Sequence, residues 1–174
     1  MQLTHLPVGP HPPEVVNVIV EIPKGGRNKY EYDPTLGLFR LDRVLYSSVH
    51  YPAAYGFIPR TEAADGDPVD ILVMTTEPTF TGCLIEARPV GLLRMRDEKG
   101  EDEKILAVPT VDPLYQQVQE LADIPPHFLH EVEHFFQIYK ELERKLVQTF
   151  GWETRHSAYD AIIAGIHKGT AKYS

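Results

Sequence analysis

One stretch of the chain joins a turn directly to a strand: Asp65-Gly66-Asp67-Pro68-Val69-Asp70-Ile71-Leu72-Val73-Met74. Its first half contains the turn formers Gly66 and Pro68, whereas its last four residues are apolar and too few for a typical helix. The same alternation of Gly/Pro punctuation with short segments rich in Val, Ile, Leu and Tyr recurs through the first two thirds of the chain. It predicts many short strands with short connections.

Six strands are expected from this pattern, each to within a few residues. They lie at Val15 to Ile22, Lys29 to Tyr32, Leu38 to Val44, Val69 to Met74, Leu84 to Met95 and Lys104 to Val108.

The apolar pattern changes period after Pro125 and Pro126. Apolar residues then recur at spacings of three and four, and a proline in the first turn suits a helix start. We expect an amphipathic helix over Pro126 to Lys145 and a second helix over His156 to His167. Strands followed by two helices predict a small barrel or strongly bent sheet with helices packed on it, in one domain over residues 1–174.

The charge balance narrows the class of partner. The 174 residues include 17 Lys+Arg and 25 Asp+Glu, so the formal net charge is -8. This argues against a nucleic-acid backbone as the main partner.

Cys83 is the only cysteine, which favours a reducing compartment. Neither a secretory signal nor a run of 18 apolar residues occurs in the sequence. We therefore expect a cytoplasmic protein without a membrane partner.

Three carboxylates lie within six residues at Asp65, Asp67 and Asp70. Unless they are fully solvated in an ordinary surface turn, carboxylates this close need raised pKa values or bound cations. An EF-hand calcium loop fits badly, because Val69 would stand at a ligand position and Asp70 at the required glycine. Mg²⁺, which binds oxygen ligands, is the better candidate.

A second acidic segment runs from Asp97 to Lys104, with five acidic residues and two lysines. Alone it is typical of a charged hairpin connection. Its net charge of -3, added to the -3 of residues 65–70, accounts for -6 of the chain's -8. If the two segments meet at one barrel opening, they could share two or three Mg²⁺ ions, as metal-assisted phosphoryl transfer requires.

Two further motifs are weaker evidence of a functional site. The glycines in Lys24-Gly25-Gly26-Arg27 suggest a phosphate loop, but GxxxxGK[ST] is absent. His130-Glu131-Val132-Glu133-His134 matches the HExxH pattern of zinc proteases. However, both histidines lie about 160° around the helix from Val132 and its apolar face. We interpret them as exposed or facing another subunit.

Together, several groups of residues resemble the soluble inorganic pyrophosphatase family. They are Lys29-Tyr30-Glu31, Asp42-Arg43, Tyr51-Pro52, Tyr55-Gly56, the run from Asp65 to Asp70, Pro89-Val90-Gly91, Asp97-Glu98, Gly100-Glu101-Asp102, Lys104, His134-Phe135-Phe136, Tyr139-Lys140 and Gly151-Trp152. The compact length is similar to the prokaryotic type. The resemblance implies an α+β, mainly β fold with a five-stranded OB-like barrel and flanking C-terminal helices, assembled as a hexamer of two trimers. It also implies Mg²⁺-dependent hydrolysis of inorganic pyrophosphate to two orthophosphates.

The resemblance further implies a role for each matching residue. Asp67 would be the general base, and the metal ligands would be Asp65, Asp70, Asp97 and Asp102. The phosphates would be bound by Lys29, Arg43, Tyr55, Tyr139 and Lys140. Supporting residues would be Glu21, Glu31, Tyr51, Glu98 and Lys104.

Two other functions remain open at this point. One is a phosphohydrolase that acts on nucleotides or polyphosphate through the same metals. The other is an OB-like binding module with a structural cation, although such a module should carry a basic, aromatic-rich face that the acidic segments contradict.

Overall fold

The computed structural model describes residues 2–173. The strands are β1 (Val16–Ile22), β2 (Asn28–Asp33), β3 (Leu38–Val44), β4 (Ala54–Phe57), β5 (Asp70–Val73), β6 (Leu84–Asp97), β7 (Gly100–Glu101), β8 (Lys104–Pro109) and β9 (Gln148–Thr154). The α-helices are α1 (Pro126–Ile138) and α2 (Arg155–Lys172). Single 3-10 turns occur at Leu3–His5, Pro113–Tyr115, Leu121–Asp123 and Glu141–Glu143.

Five strands close a ring in the order β1-β4-β5-β8-β6, because β6 also pairs with β1. The pairs are antiparallel except β5 with β8, which is parallel. The long strand β6 additionally pairs with β7 and β9, and β2 with β3 forms a separate hairpin. The mainly β class, the five-stranded ring and the two helices are confirmed, although the ring is not a regular barrel.

Besides the two-residue β7, two strands were not predicted from the sequence. β4 is only four residues long, and its Gly56 lies so close to β1 that a Cβ there would collide with the carbonyl oxygen of Ile19. β9 has mostly polar or half-buried residues, and it is a strand because it pairs with the edge of β6. Both strands depend on long-range pairing, which short-range sequence patterns do not show.

The predicted helix bounds were partly wrong. α1 ends at Ile138 instead of Lys145, because a 3-10 turn follows and Arg144 then adopts the left-handed region at φ 58°. Lys140 therefore follows the helix instead of lying within it. α2 is longer than predicted and reaches Lys172. Within residues 2–173, no helix is both long and apolar enough to cross a membrane.

The two helices pack against the ring through different parts of the core. α1 contributes Phe135 and Phe136 to one cluster, and α2 contributes Ala158 and Ile162 to another. The opposite side of α1 is exposed, including both histidines of the HExxH motif. The prediction that these histidines point away from the core is confirmed.

Candidate active site

A cavity of about 440 Å³ opens at one end of the ring. Its walls come from the β2–β3 hairpin, the turn before β5, the β6–β7–β8 region and the end of α1. Below, residues 65–70 are called the aspartate loop and residues 97–104 the acidic hairpin. Twelve of the fifteen predicted site residues line this cavity: Glu21, Lys29, Glu31, Tyr55, Asp65, Asp67, Asp70, Asp97, Asp102, Lys104, Tyr139 and Lys140.

Lys104 joins the aspartate loop to the acidic hairpin. Its ammonium donates to Asp70 at 2.6 Å, to Asp102 at 2.8 Å and to the Tyr55 hydroxyl at 2.9 Å. Burial alone would lower the pKa of Lys104, but Asp70, Tyr55 and Asp102 raise it well above its usual value. Lys104 is thus a buried cation between two carboxylates from different segments, as the convergence hypothesis required.

The aspartate loop is built from local hydrogen bonds around Gly66. Gly66 has a φ of 88°, which favours glycine, and its N–H donates to the Ala63 carbonyl at 3.2 Å. The Asp67 N–H donates to the Asp65 carboxylate at 3.0 Å, and the Ala63 N–H donates to the Asp67 carbonyl at 2.7 Å. These bonds turn the chain so that all three aspartates of the loop reach the cavity.

Asp67 has the environment expected of a proton acceptor. Partial burial raises its pKa above the usual value, and the neighbouring carboxylates of Asp65 and Asp70 raise it further. Across residues 2–173, neither Asp65 nor Asp67 forms an ion pair with a basic side chain. A carboxylate with a raised pKa is a stronger base than an ordinary aspartate.

Lys140 is held in the cavity wall by the acidic hairpin. Its ammonium donates to Asp97 at 3.1 Å and lies 3.5 Å from Glu98. Burial would raise the pKa of Asp97, but the Lys99 N–H and Lys140 together lower it. By contrast, burial raises the pKa of Asp102 despite its contact with Lys104.

The β2–β3 hairpin supplies the third basic group. Lys29 forms an ion pair with Glu31, because residues two apart on a strand share one face. Lys29 also lies 3.4 Å from Asp42, and that carboxylate accepts from Arg43 at 2.8 Å.

Three predicted site residues do not line the cavity. The Arg43 guanidinium donates to Glu143 at 2.6 Å, so it is tied to the turn after α1. Tyr51 is buried behind the cavity, where its ring packs on Tyr55 and Phe135. Glu98 does not line the cavity itself but lies next to Lys140, which does.

Glu21 is the most strongly perturbed carboxyl in the cavity wall. Its Oε1 accepts from the Tyr32 N–H at 2.8 Å. Burial raises its pKa to about 8, against the lowering effect of that hydrogen bond. At neutral pH the cavity therefore includes a protonated carboxyl beside its charged ones.

Sequence reasoning missed several residues of the cavity wall. Lys99 and Glu101 belong to the acidic hairpin, so their position in that motif could have indicated them. Lys172 and Tyr173 come from the end of α2, and Thr4 and His5 come from the opposite end of the chain. Nothing in their local sequence indicates that they meet the aspartate loop.

The donor set fits a hard divalent cation. Asp65, Asp70, Asp97 and Asp102 offer only carboxylate oxygens, the ligands that Mg²⁺ and Ca²⁺ take in proteins. In the described part of the chain, no group of three His, Cys, Asp or Glu side chains stands at metal-ligand spacing, and the Lys104 ammonium separates Asp70 from Asp102.

Comparison with known proteins identifies the family. A family model described as inorganic pyrophosphatase matches residues 18–170. An inorganic pyrophosphatase of Methanosarcina acetivorans is 54% identical over 149 residues, which cover 86% of this chain and 89% of that relative. The chain belongs to the inorganic pyrophosphatase family. Another family member, from Synechocystis, is 50% identical over 173 residues and matches 99% of each chain.

Solved structures of the family share the fold. The crystal structure of inorganic pyrophosphatase from Thermus thermophilus matches with a TM-score of 0.96 at 46% identity, covering 98% of this chain and 99% of that chain. The pyrophosphatase family uses a divalent metal cofactor, and the donor set of the cavity agrees with one. The predicted family and fold are confirmed.

Proposed function

We propose that this chain hydrolyses inorganic pyrophosphate to two orthophosphates in the 440 Å³ cavity, with Mg²⁺ held by its carboxylates. Membership of the family makes the chain a hydrolase, so the proposal concerns the cation and the residues. One observation carries it: five aspartates and the ammonium groups of Lys29 and Lys140 face the same cavity. Such a cavity fits a substrate that is an anion with bound cations.

Asp65, Asp70 and Asp102 are the proposed ligands of one Mg²⁺ site, with Asp70 shared with a second ion. Asp97 and Asp102 would hold the Mg²⁺ that enters with pyrophosphate. When bound, these ions neutralise phosphate oxygens and make water a better nucleophile near neutral pH. Lys104 supports the site because it holds Asp70 and Asp102 side by side.

Asp67 is the proposed general base. Its carboxylate takes a proton from the attacking water as the water oxygen bonds to one phosphorus and the bridging P–O bond breaks. The departing phosphate keeps the electron pair of that bond. The raised pKa of Asp67 favours this transfer, and the absence of an ion pair to it within residues 2–173 leaves the carboxylate available.

Basic and hydroxyl groups are proposed to bind the phosphates. Lys29 and Lys140 line the cavity wall, and Tyr55 and Tyr139 add hydroxyl groups to it. Ammonium groups stabilise the negative charge that grows on the leaving phosphate. Arg43 would join them once its guanidinium leaves Glu143, with which it is paired here.

The proposed assembly is a homo-hexamer of two trimers in the cytoplasm, each copy one domain. Large apolar side chains that a single copy leaves exposed support the assembly: Leu36, Leu38, Leu41 and Phe80. The single unpaired cysteine, Cys83, supports a reducing compartment. A sedimentation measurement that returned only the 19.7 kDa monomer would contradict the hexamer.

Phosphate release tests the proposed function. The purified chain is assayed with pyrophosphate and with ATP, each with Mg²⁺ and with excess chelator. We expect rapid release from pyrophosphate with Mg²⁺, little release from ATP and none in chelator. Faster release from ATP would favour a nucleotide phosphohydrolase, and no release from either substrate would favour a binding module.

A further inference from the structure

The C-terminal half of α2 packs closely on the segment that leads into the aspartate loop. A Cβ at Gly165 would lie 2.7 Å from a methyl group of Val69, and one at Gly169 would collide with the Arg60 carbonyl oxygen. The Glu62 N–H also donates to the Gly165 carbonyl at 2.9 Å. Backbone packing at two glycines therefore fixes α2 against this segment.

Lys172 lies at the end of the same helix face, because Gly165, Gly169 and Lys172 fall within about 60° of one another around α2. Its ammonium donates to the Gly66 carbonyl at 2.5 Å and lies 3.5 Å from the Glu62 carboxylate. A cation is favourable at this position, since the C-terminal end of a helix carries partial negative charge. The helix thus delivers an ammonium group to the centre of the aspartate loop.

The Gly66 carbonyl is the group of the loop to which Lys172 supplies a hydrogen bond. The N–H groups of Gly66 and Asp67 in the loop, and that of Ala63 just before it, bond to neighbouring oxygens, as described above. The Gly66 carbonyl instead accepts from Lys172. Because this carbonyl belongs to the peptide that joins Gly66 to Asp67, its direction constrains the backbone from which the Asp67 side chain projects.

We infer that Lys172 is a positioning residue for Asp67: its ammonium fixes the Gly66–Asp67 peptide and thereby orients the Asp67 carboxylate in the cavity. This inference rests on the proposed role of Asp67 as general base. Lys172 itself lines the same cavity, and it lies beyond residues 18–170, which the family model matches. The resemblance to the family gives it no role.

The alternative is that Lys172 only forms a surface ion pair. Its side chain is 43% exposed and that of Glu62 is 29% exposed. Such pairs contribute about 0–1 kcal/mol to stability and nothing to catalysis. The test must therefore separate kcat from stability.

Three variants make this separation: Lys172→Ala, Lys172→Arg and the control Lys168→Ala, which removes an exposed lysine one turn earlier on α2. We expect Lys172→Ala to lower kcat about 3- to 10-fold with KM within about twofold, because an orienting contact acts on the reacting state. Its unfolding midpoint should stay within about 2 °C of wild type. Lys172→Arg should keep at least about half of kcat, and Lys168→Ala should match wild type.

A double variant decides whether the effect passes through Asp67. In an Asp67→Asn background, adding Lys172→Ala should cause no further loss of the residual kcat, because the group being oriented is gone. The inference is overturned if the two losses multiply, or if Lys172→Ala alone has the wild-type kcat. The failure of the proposed function would look different, since wild type itself would then release no phosphate from pyrophosphate.

Discussion

The aspartate loop and the acidic hairpin each carry a net charge of -3 and face the same cavity, but their charges are balanced differently. In the hairpin, Asp102 contacts Lys104 and Asp97 contacts Lys140. In the loop, Asp70 shares Lys104, whereas Asp65 and Asp67 form no ion pair with any basic side chain of residues 2–173. In the loop, therefore, only Asp70 has a lysine as an ion-pair partner, although Lys172 contacts the Gly66 carbonyl.

This difference shows that equal charge can serve two purposes. In the hairpin, lysine partners offset the charge of Asp97 and Asp102 without any added ion. Asp67 lacks an ion-pair partner in the loop, and its pKa is raised by partial burial and then by repulsion from the Asp65 and Asp70 carboxylates. The loop is therefore the part of the site at which an external cation and a proton transfer have the largest effect.

The largest expected effect follows from removing the base in the loop. Asp67→Asn should lower kcat for pyrophosphate by about 100- to 10,000-fold, because the amide cannot accept the water proton. KM should change much less, since the proposed phosphate ligands are untouched. Steady-state phosphate release measures both values. Glu77→Gln, an exposed acid outside the cavity, is the matched control and should retain wild-type kcat. A kcat for Asp67→Asn within threefold of wild type would show that another group is the base.

The next effect concerns the lysine that links the two segments. Lys104→Met leaves the neighbouring carboxylates of Asp70 and Asp102 without their buried cation, so the free energy of unfolding in chelator should fall by about 3 kcal/mol. Excess Mg²⁺ should recover part of this loss, because a divalent ion can lie between the two carboxylates. Urea unfolding with and without Mg²⁺ measures the difference.

Arg96→Met is the control for Lys104→Met, because it removes an exposed ion pair with Glu101. It should cost less than about 1 kcal/mol and show no recovery with Mg²⁺. Equal losses for the two variants would contradict the account of Lys104 as a buried link.

The smallest effect is a pH dependence at Glu21. The pKa of Glu21 in the folded chain is about 8, above its usual value of 4.5, so ionisation favours the unfolded state. Wild-type stability should therefore be unaffected by Glu21 below pH 4.5 and decrease as the pH rises towards 8. Glu21→Gln, whose amide oxygen can still accept from Tyr32, should become more stable than wild type by on the order of 2 kcal/mol at pH 8 in chelator.

Urea unfolding at pH 4.5 and pH 8 measures this change. Glu77→Gln serves again as the control and should show no pH-dependent difference. A constant difference between Glu21→Gln and wild type at both pH values would mean that the pKa of Glu21 is the same in the folded and unfolded chain.

Sequence patterns predicted the features that depend on neighbouring residues. The Gly/Pro turn before β5 was found because Gly66 and Pro68 determine the local backbone, and the start of α1 was found because Pro126 suits its first turn. The end of α1 was not found, because the left-handed Arg144 and the pairing of β9 with β6 together set the chain direction there.

The same distinction applies to the site. The resemblance predicted fifteen site residues, and twelve of them line the cavity, because motif residues near strand ends come together when the ring closes. It did not find Lys172, which reaches Gly66 only because α2 extends five residues beyond its predicted end at His167. It also did not show that Arg43 is paired with Glu143, a contact between distant parts of the chain.

The most direct test of the central claim is the Mg²⁺ dependence of phosphate release from pyrophosphate, compared between wild type and Asp70→Asn. Asp70 is the aspartate-loop residue that also meets the acidic hairpin through Lys104. We expect no wild-type release in chelator, and a half-saturating Mg²⁺ concentration at least about tenfold higher in Asp70→Asn, because one carboxylate ligand is lost. Wild-type release that persists in chelator, or the same Mg²⁺ dependence in both proteins, would contradict the claim.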